Sequence, residues 1–277
     1  MSMNKVAVTG SGGFIGQAVV KELEKRNMVA IPYDMSDGLN VQDEKQVSKH
    51  LKSCDGVIHL AGVLGTEELF DNPHKAVDIN IKGALNVILA CREYGTHYVG
   101  IQMPDIWQNI YQSTKRCAKD LAMAYHQHYH VPVAFVCAYN AWGKHQKVHG
   151  VQKIIPTFAT KAWRGEALPI WGQGDQLVDL VYVKDVARML VDALSFGNGE
   201  TFDAGTGAGK TVLEVAEMVR EIAESESALA FHPMRKGEHT GEAPVAKGRG
   251  WDLLGWTPTF DAEIFRDVVE WYKKDRV

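Results

Sequence analysis

Apolar residues fall into two rhythms along this chain. Runs at residues 5–9, 29–33, 56–60, 98–102, 133–138 and 200–203 are too short for helices and predict buried strands. Between them, apolar positions recur near every 3.6 residues, as in Phe14, Ala18, Val19 and Leu23 and again in Val77, Ile81, Leu85 and Ile88, which predicts helices with one face on a core. Strand alternating with helix is the rhythm of β-α-β units, so the pattern predicts an α/β chain on a doubly wound parallel sheet. After Gly143 the rhythm loosens into a stretch rich in Gly and Trp at 163–174, a loop-like segment at 225–256 and a last amphipathic helix near 261–274. These pieces predict a small C-terminal substrate lobe, formed by 143–178 and 207–277, against a sheet domain of 1–142 to which 179–206 return.

Composition narrows the class. With 277 residues, 45% hydrophobic and 23% charged, the chain reads as an ordinary soluble globular protein. A net charge of -4 offers no broad basic surface, so nucleic acid and membrane are not expected partners. Cys54, Cys91, Cys117 and Cys137 are scattered without a Cys-x-x-Cys pair, which predicts reduced thiols in a cytoplasm and no zinc site. No apolar span of about twenty residues is present, and a cytoplasmic location is expected.

Chemistry enters at the first strand-helix turn, where Thr9 is followed by Gly10, Gly13, Phe14, Ile15 and Gly16. Glycines there permit a tight turn, let backbone approach a pyrophosphate and aim helix N-terminal amides at the anion. Asp34 ends the second predicted strand, placed to accept hydrogen bonds from ribose hydroxyls and to repel a 2'-phosphate. No Arg or Lys follows within residues 35–38, so the pattern predicts NAD rather than NADP. Further along, Tyr111 and Lys115 stand four apart on a predicted helix, one turn from each other on one face. An ammonium beside a phenol favours phenolate and suits the tyrosine to acid-base work.

Taken in order, these residues resemble the extended short-chain dehydrogenase/reductase group of NAD-dependent sugar-nucleotide epimerases and dehydratases. The resemblance runs nearly end to end, and it implies a Rossmann-type sheet domain. His59-Leu60-Ala61-Gly62 resembles the strand end beside the cofactor, Asn80-Ile81-Lys82-Gly83 an Asn-x-x-Gly motif in which the resemblance implies that Asn80 binds the cofactor, and Asn40-Val41 the pair near adenine. Asn140-Ala141-Trp142-Gly143 resembles Asn-Val-Tyr-Gly, Val183-Lys184-Asp185-Val186-Ala187 a Val-Asp-Asp-Val-Ala helix start, and Leu254-Gly255-Trp256-Thr257-Pro258 a late signature. The resemblance implies that Tyr111 takes a proton from a sugar hydroxyl and that Lys115 holds the nicotinamide ribose and lowers the tyrosine pKa. It implies a nucleotide-sugar substrate touched by Asn140, Trp171 and Arg235, and a homodimer formed through the helices near 75–94 and 111–129.

The sequence also departs from that pattern. Met103 stands where the group carries a Ser or Thr that bonds the reacting hydroxyl, and a thioether cannot donate. Asp105 occupies the place of a dehydratase glutamate, a candidate second acid-base group. Seven residues separate Met103 from Tyr111, a shorter connection than is usual. Cys137 and Val178 stand where anchoring arginines are expected. Epimerisation at C4 of the sugar is therefore the leading expectation, with dehydration through Asp105, or NAD binding with lost turnover, as alternatives. A rival signal, Ala204-Gly-Thr-Gly-Ala-Gly-Lys-Thr211, approaches a phosphate-binding P-loop, but its first position is Ala, and Thr211 suits the N-cap of the next helix. His126, His128 and His130 alternate by two and point different ways on a helix, which argues against a shared metal.

Overall fold

The computed structural model describes residues 3–238 and 244–273. The expected lobe boundary and the end of the last predicted helix run into 239–243 and 274–277, outside the described residues. In chain order the strands are β1 (Lys5–Thr9), β2 (Val29–Tyr33), β3 (Gly56–His59), β4 (His97–Gln102), β5 (Val133–Ala138), β6 (Asn140–Trp142), β7 (Leu168–Trp171), β8 (Leu177–Val178), β9 (Leu180–Tyr182), β10 (Asn198–Ala204), β11 (Lys210–Thr211) and β12 (Leu229–His232). The helices are α1 (Phe14–Lys25), α2 (Glu44–Leu51), α3 (Pro73–Ala76), α4 (Gly83–Tyr94), α5 (Ile110–Tyr129), α6 (Ile154–Trp163), α7 (Val183–Asp192), α8 (Val212–Ala223), α9 (Trp251–Leu254) and α10 (Ala262–Trp271). Residues Val77–Lys82 form a π-helical turn between α3 and α4.

Six strands pair in parallel in the order β10-β5-β4-β3-β1-β2, the doubly wound Rossmann-type sheet that the alternating pattern predicts. Its central strands are buried on both faces, which is why β3 and β5 read as continuous apolar runs. One face packs Val6, Val8 and Val136 under Val19 and Leu23 of α1 and Leu190 of α7. The other packs Tyr33, Val57 and Phe135 under α2 and α4. The chain reverses direction across the sheet at β1, and ligand crevices open at the carboxyl ends of strands at such a switch point.

A third cluster joins Phe158 of α6, Val215 and Val219 of α8, and Phe265 and Val268 of α10. Trp142 and Leu180 pack into it from the sheet side of the expected boundary, whereas Trp251, Leu254 and Trp256 pack back against the sheet cluster. Three separate two-stranded ladders, β6 with β9, β7 with β12 and β8 with β11, lie outside the large sheet. They are two to four residues long, too short to leave a period in the sequence.

The P-loop-like turn has a different role here. The amides of Thr206 and Gly207 donate to the buried Asp179 carboxylate at 2.7 and 3.0 Å, so the donors that would cradle a phosphate hold an internal anion. Thr211 caps α8 in a reciprocal box with Glu214. His126 bonds the Val131 carbonyl, and His130 ends α5 in the left-handed conformation at φ 57°. No described helix is long and apolar enough to cross a membrane.

Candidate active site

One cavity of about 910 Å³ runs from the β1-α1 turn, past α5, to the lobe. Its first end is the glycine turn. A Cβ on Gly16 would meet the Gly10 carbonyl oxygen at 2.1 Å, and one on Gly10, at φ 71°, would meet the Ala61 nitrogen at 2.8 Å. Phe14 and Ile15 continue that wall as α1 begins. Asp34 Oδ2 accepts from the Gly12 amide at 3.0 Å, and Oδ1 accepts from the Ser36 amide and hydroxyl. Burial pushes this carboxyl up, but the bonds from Ser36 and Gly12 more than offset it, so Asp34 lies below the ordinary carboxylate range and stays ionised. A backbone cradle with no room for side chains, followed by an anchored carboxylate, fits a dinucleotide with a free ribose diol. Asn40, Val41, Leu60, Ala61 and Gly62 line the same end.

Asn80 sits elsewhere than expected. It is buried and does not line the cavity; the π-helical turn carries it behind Val63. Its Oδ1 accepts from the Val63 amide at 2.8 Å, and Nδ2 donates to the Val63 carbonyl at 3.1 Å and to Thr114 Oγ1 at 3.0 Å. With both amide hydrogens spent, Asn80 has none for a cofactor, and it becomes a positioning residue that ties the cavity wall to α5. His59 plays a similar part. Thr9 Oγ1 accepts from the Leu60 and Ala61 amides, so its one proton goes to His59 Nδ1 at 2.8 Å. Burial, with the Lys115 charge adding to it, holds His59 down at about 3, neutral.

Tyr111 and Lys115 face the middle of the cavity from successive turns of α5. Asn109 begins that helix: its Oδ1 accepts from the Gln112 amide at 2.8 Å, and its Nδ2 donates to the Gly237 carbonyl at 3.2 Å, fastening the helix start to the lobe. Tyr111 keeps some surface open to the cavity yet is surrounded by protein, and burial raises its phenol. Burial lowers Lys115 to about 8. The expected depression of the tyrosine by its lysine is not what this arrangement shows: removal from water penalises the charged form of both.

Met103 lies beside them, on both the main cavity and a smaller one. Asp105 does not reach the main cavity. Its Oδ1 is bound by Gln112 Nε2 and the Arg116 guanidinium, and its side chain is 59% exposed, so the carboxylate is turned away from any sugar held at Tyr111.

At the lobe end, Asn140 Oδ1 accepts from the Asp179 amide at 3.2 Å, which leaves its NH2 as the end free for a ligand. Trp171 forms a wall with His232 stacked at 4.9 Å, and the Arg235 guanidinium lies 5.7 Å from its ring centre. Glu238 grips Arg235 through both nitrogens, at 2.5 and 3.2 Å. Two residues that the sequence reading left out complete this end, Glu238 and Lys153. Burial lowers the Lys153 ammonium, with Arg235 adding to that and Glu68 and Glu238 opposing it. Lys153 directly precedes α6, and no motif in the sequence marks it. Where arginines were expected, Cys137 is buried in β5 and Val178 packs in the lobe core, while Arg249 comes from far along the chain to bond the buried Asp203 at 2.7 and 3.0 Å.

A family profile described as NAD dependent epimerase/dehydratase family matches residues 6–103 and 104–205. The chain belongs to that family. Its cofactor is NAD, in keeping with the cradle and Asp34. Within the family the chain is similar to dTDP-glucose 4,6-dehydratase 1 of Escherichia coli (strain K12), 27% identical over 97% of this chain and 92% of that one. It is also similar to UDP-glucuronic acid decarboxylase 2 of Arabidopsis thaliana, 24% identical over 92% of this chain and 64% of that one. Among solved structures, UDP-glucose 4-epimerase of Thermotoga maritima with UDP-glucose superposes with a TM-score of 0.90 at 23% identity, covering 98% of this chain and 99% of that one, a likeness of fold. Family relatives thus perform several reactions on nucleotide sugars, and the family resemblance read from the sequence is confirmed.

Proposed function

We propose that this protein is an epimerase-like oxidoreductase that acts at C4 of a nucleotide sugar. The observation that carries the reading is the placement of Tyr111 and Lys115 midway along one cavity, between the NAD cradle and the group formed by Asn140, Trp171, Lys153 and Arg235. Bound NAD supplies reversible hydride transfer. Tyr111, as phenolate, takes the proton of the C4 hydroxyl as hydride leaves and returns it when the ketone is reduced, and the Lys115 ammonium offsets the phenolate charge. Trp171 offers a face for a nucleobase, Asn140 donates from its NH2, and Lys153 with Arg235 meets the diphosphate. Relatives that epimerise or dehydrate such sugars support the substrate class. With Asp105 turned toward Arg116, the cavity lacks the second acid-base group that dehydration would draw from that position. Interconversion of UDP-glucose and UDP-galactose by the purified protein with NAD is the expected result. Failure to convert any of a panel of UDP- and dTDP-hexoses, with no change in nicotinamide absorbance, would end this proposal.

Met103 favours a second reading, in which NAD is held but turnover is weak because no side-chain hydroxyl bonds the reacting oxygen. Met103→Thr then raises kcat by tenfold or more. A variant no faster than the parent removes that reading.

A further inference from the structure

Behind the catalytic helix lies a second cavity of about 160 Å³, roughly five times the ~30 Å³ that a water occupies in the liquid. It shares Gln102, Met103 and Lys115 with the main cavity and is lined further by Arg116, Lys119 and Arg249. Four cations thus face it against one carboxylate, that of Asp105. The ion pairs do not balance this charge. Arg116 is matched by Asp105, and Arg249 by Asp203 beneath it. Lys119 has only the Thr201 hydroxyl at 3.4 Å and the Phe135 ring at 5.3 Å, and no described carboxylate pairs with Lys119 or Lys115. Two ammonium groups therefore border one small polar space. Thr201 adds a hydroxyl, and the Arg116 and Arg249 forks carry further N–H donors.

We propose that this cavity is a binding site for a small oxyanion, the size of a phosphate or a single carboxylate, held between Lys119 and Lys115. Two sources share that chemistry. One is a free anion entering from the Arg116 side. The other is a carboxylate carried by a sugar in the main cavity and reaching past Met103, which lines both spaces. Asp105 does not close the site to anions, because Gln112 and Arg116 bind its Oδ1.

The test is calorimetric titration of the full chain, loaded with NAD, with inorganic phosphate. Saturable binding is expected, weakened about tenfold or more by Lys119→Gln, which removes one charged donor. Arg116→Gln, which leaves Asp105 without its cation, weakens it in the same direction. Lys82→Gln, an exposed lysine that lines neither cavity, leaves phosphate binding within about twofold. Displacement of phosphate by UDP-glucuronate but not by UDP-glucose assigns the site to a sugar carboxylate; displacement by neither assigns it to a free anion. Absence of saturable binding, insensitivity to both Lys119→Gln and Arg116→Gln, or displacement by both nucleotide sugars overturns the proposal.

Discussion

Lys115 carries a cost that can be measured without any substrate. It is 7% exposed and has no described hydrogen-bond or ion-pair partner, and burial moves it from 10.5 to about 8. That difference corresponds to about 3 kcal/mol by which the folded state disfavours the ammonium. The sign follows from proton counts. Below pH 8 both folded and unfolded chains hold the proton and the whole cost is present; between about 8 and 10.5 the unfolded chain binds more protons, so stability rises with pH and the cost disappears. Lys115→Met keeps the aliphatic stem and removes the charge. With an unfolding entropy of ~2 cal/mol/K per residue over 277 residues, the variant melts about 5 °C higher than the parent at pH 7. The gap narrows steadily from pH 8 to 10.5, and comparing the two proteins cancels other groups that titrate in that range. Differential scanning calorimetry of nucleotide-free protein across pH 6.5–10.5 reads it directly. A variant no more stable than the parent at pH 7, or a gap that does not change with pH, would refute the view that Lys115 is held as an unpaired buried cation.

Three further outcomes follow from the geometry. Gly16→Ala drives a methyl into the Gly10 carbonyl and abolishes NAD binding, measured by quenching of protein fluorescence, while far-UV circular dichroism shows the sheet intact. Asp34→Ala weakens NAD by tenfold to a hundredfold, the worth of hydrogen bonds to a charged acceptor, and narrows the preference over NADP in equilibrium titrations; an unchanged ratio would remove Asp34 from cofactor selection. Asn80→Ala leaves the Val63 amide and carbonyl and the Thr114 hydroxyl short of partners, costing about 3 kcal/mol in denaturant unfolding, and it lowers kcat although Asn80 lines no part of the cavity.

The strands, the glycine turn and Asp34 were legible because each depends on local spacing: a run of apolar residues, a turn without Cβ atoms, a carboxylate at a strand end. The strand at 200–203 proved longer, Asn198–Ala204, since its first residues lie at a half-exposed edge and lack the apolar signature. What was not legible depends on orientation or on distant partners. Asp105 aligned with an acid-base position, but Gln112 and Arg116, seven and eleven residues further on, decide where its carboxylate points. Asn80 read as a cofactor ligand because nothing in its own segment shows that Val63 and Thr114 consume its amide. Arg249 and Asp203 are 46 residues apart, and no periodicity links them. Tyr111 and Lys115 were found by spacing alone, yet spacing said nothing of burial, which sets the direction in which both titrate.

Asp179 joins parts of the chain that otherwise belong to different halves. Its two oxygens hold Thr206 and Gly207 after the last sheet strand and the Ala246 amide of the late segment, while its own amide bonds Asn140 at the cavity wall. One side chain thus works as an axle pin: sheet, lobe and late segment are fastened at a point, with the cavity spread to one side of it. Removing that one carboxylate would release Thr206, Gly207 and Ala246 together.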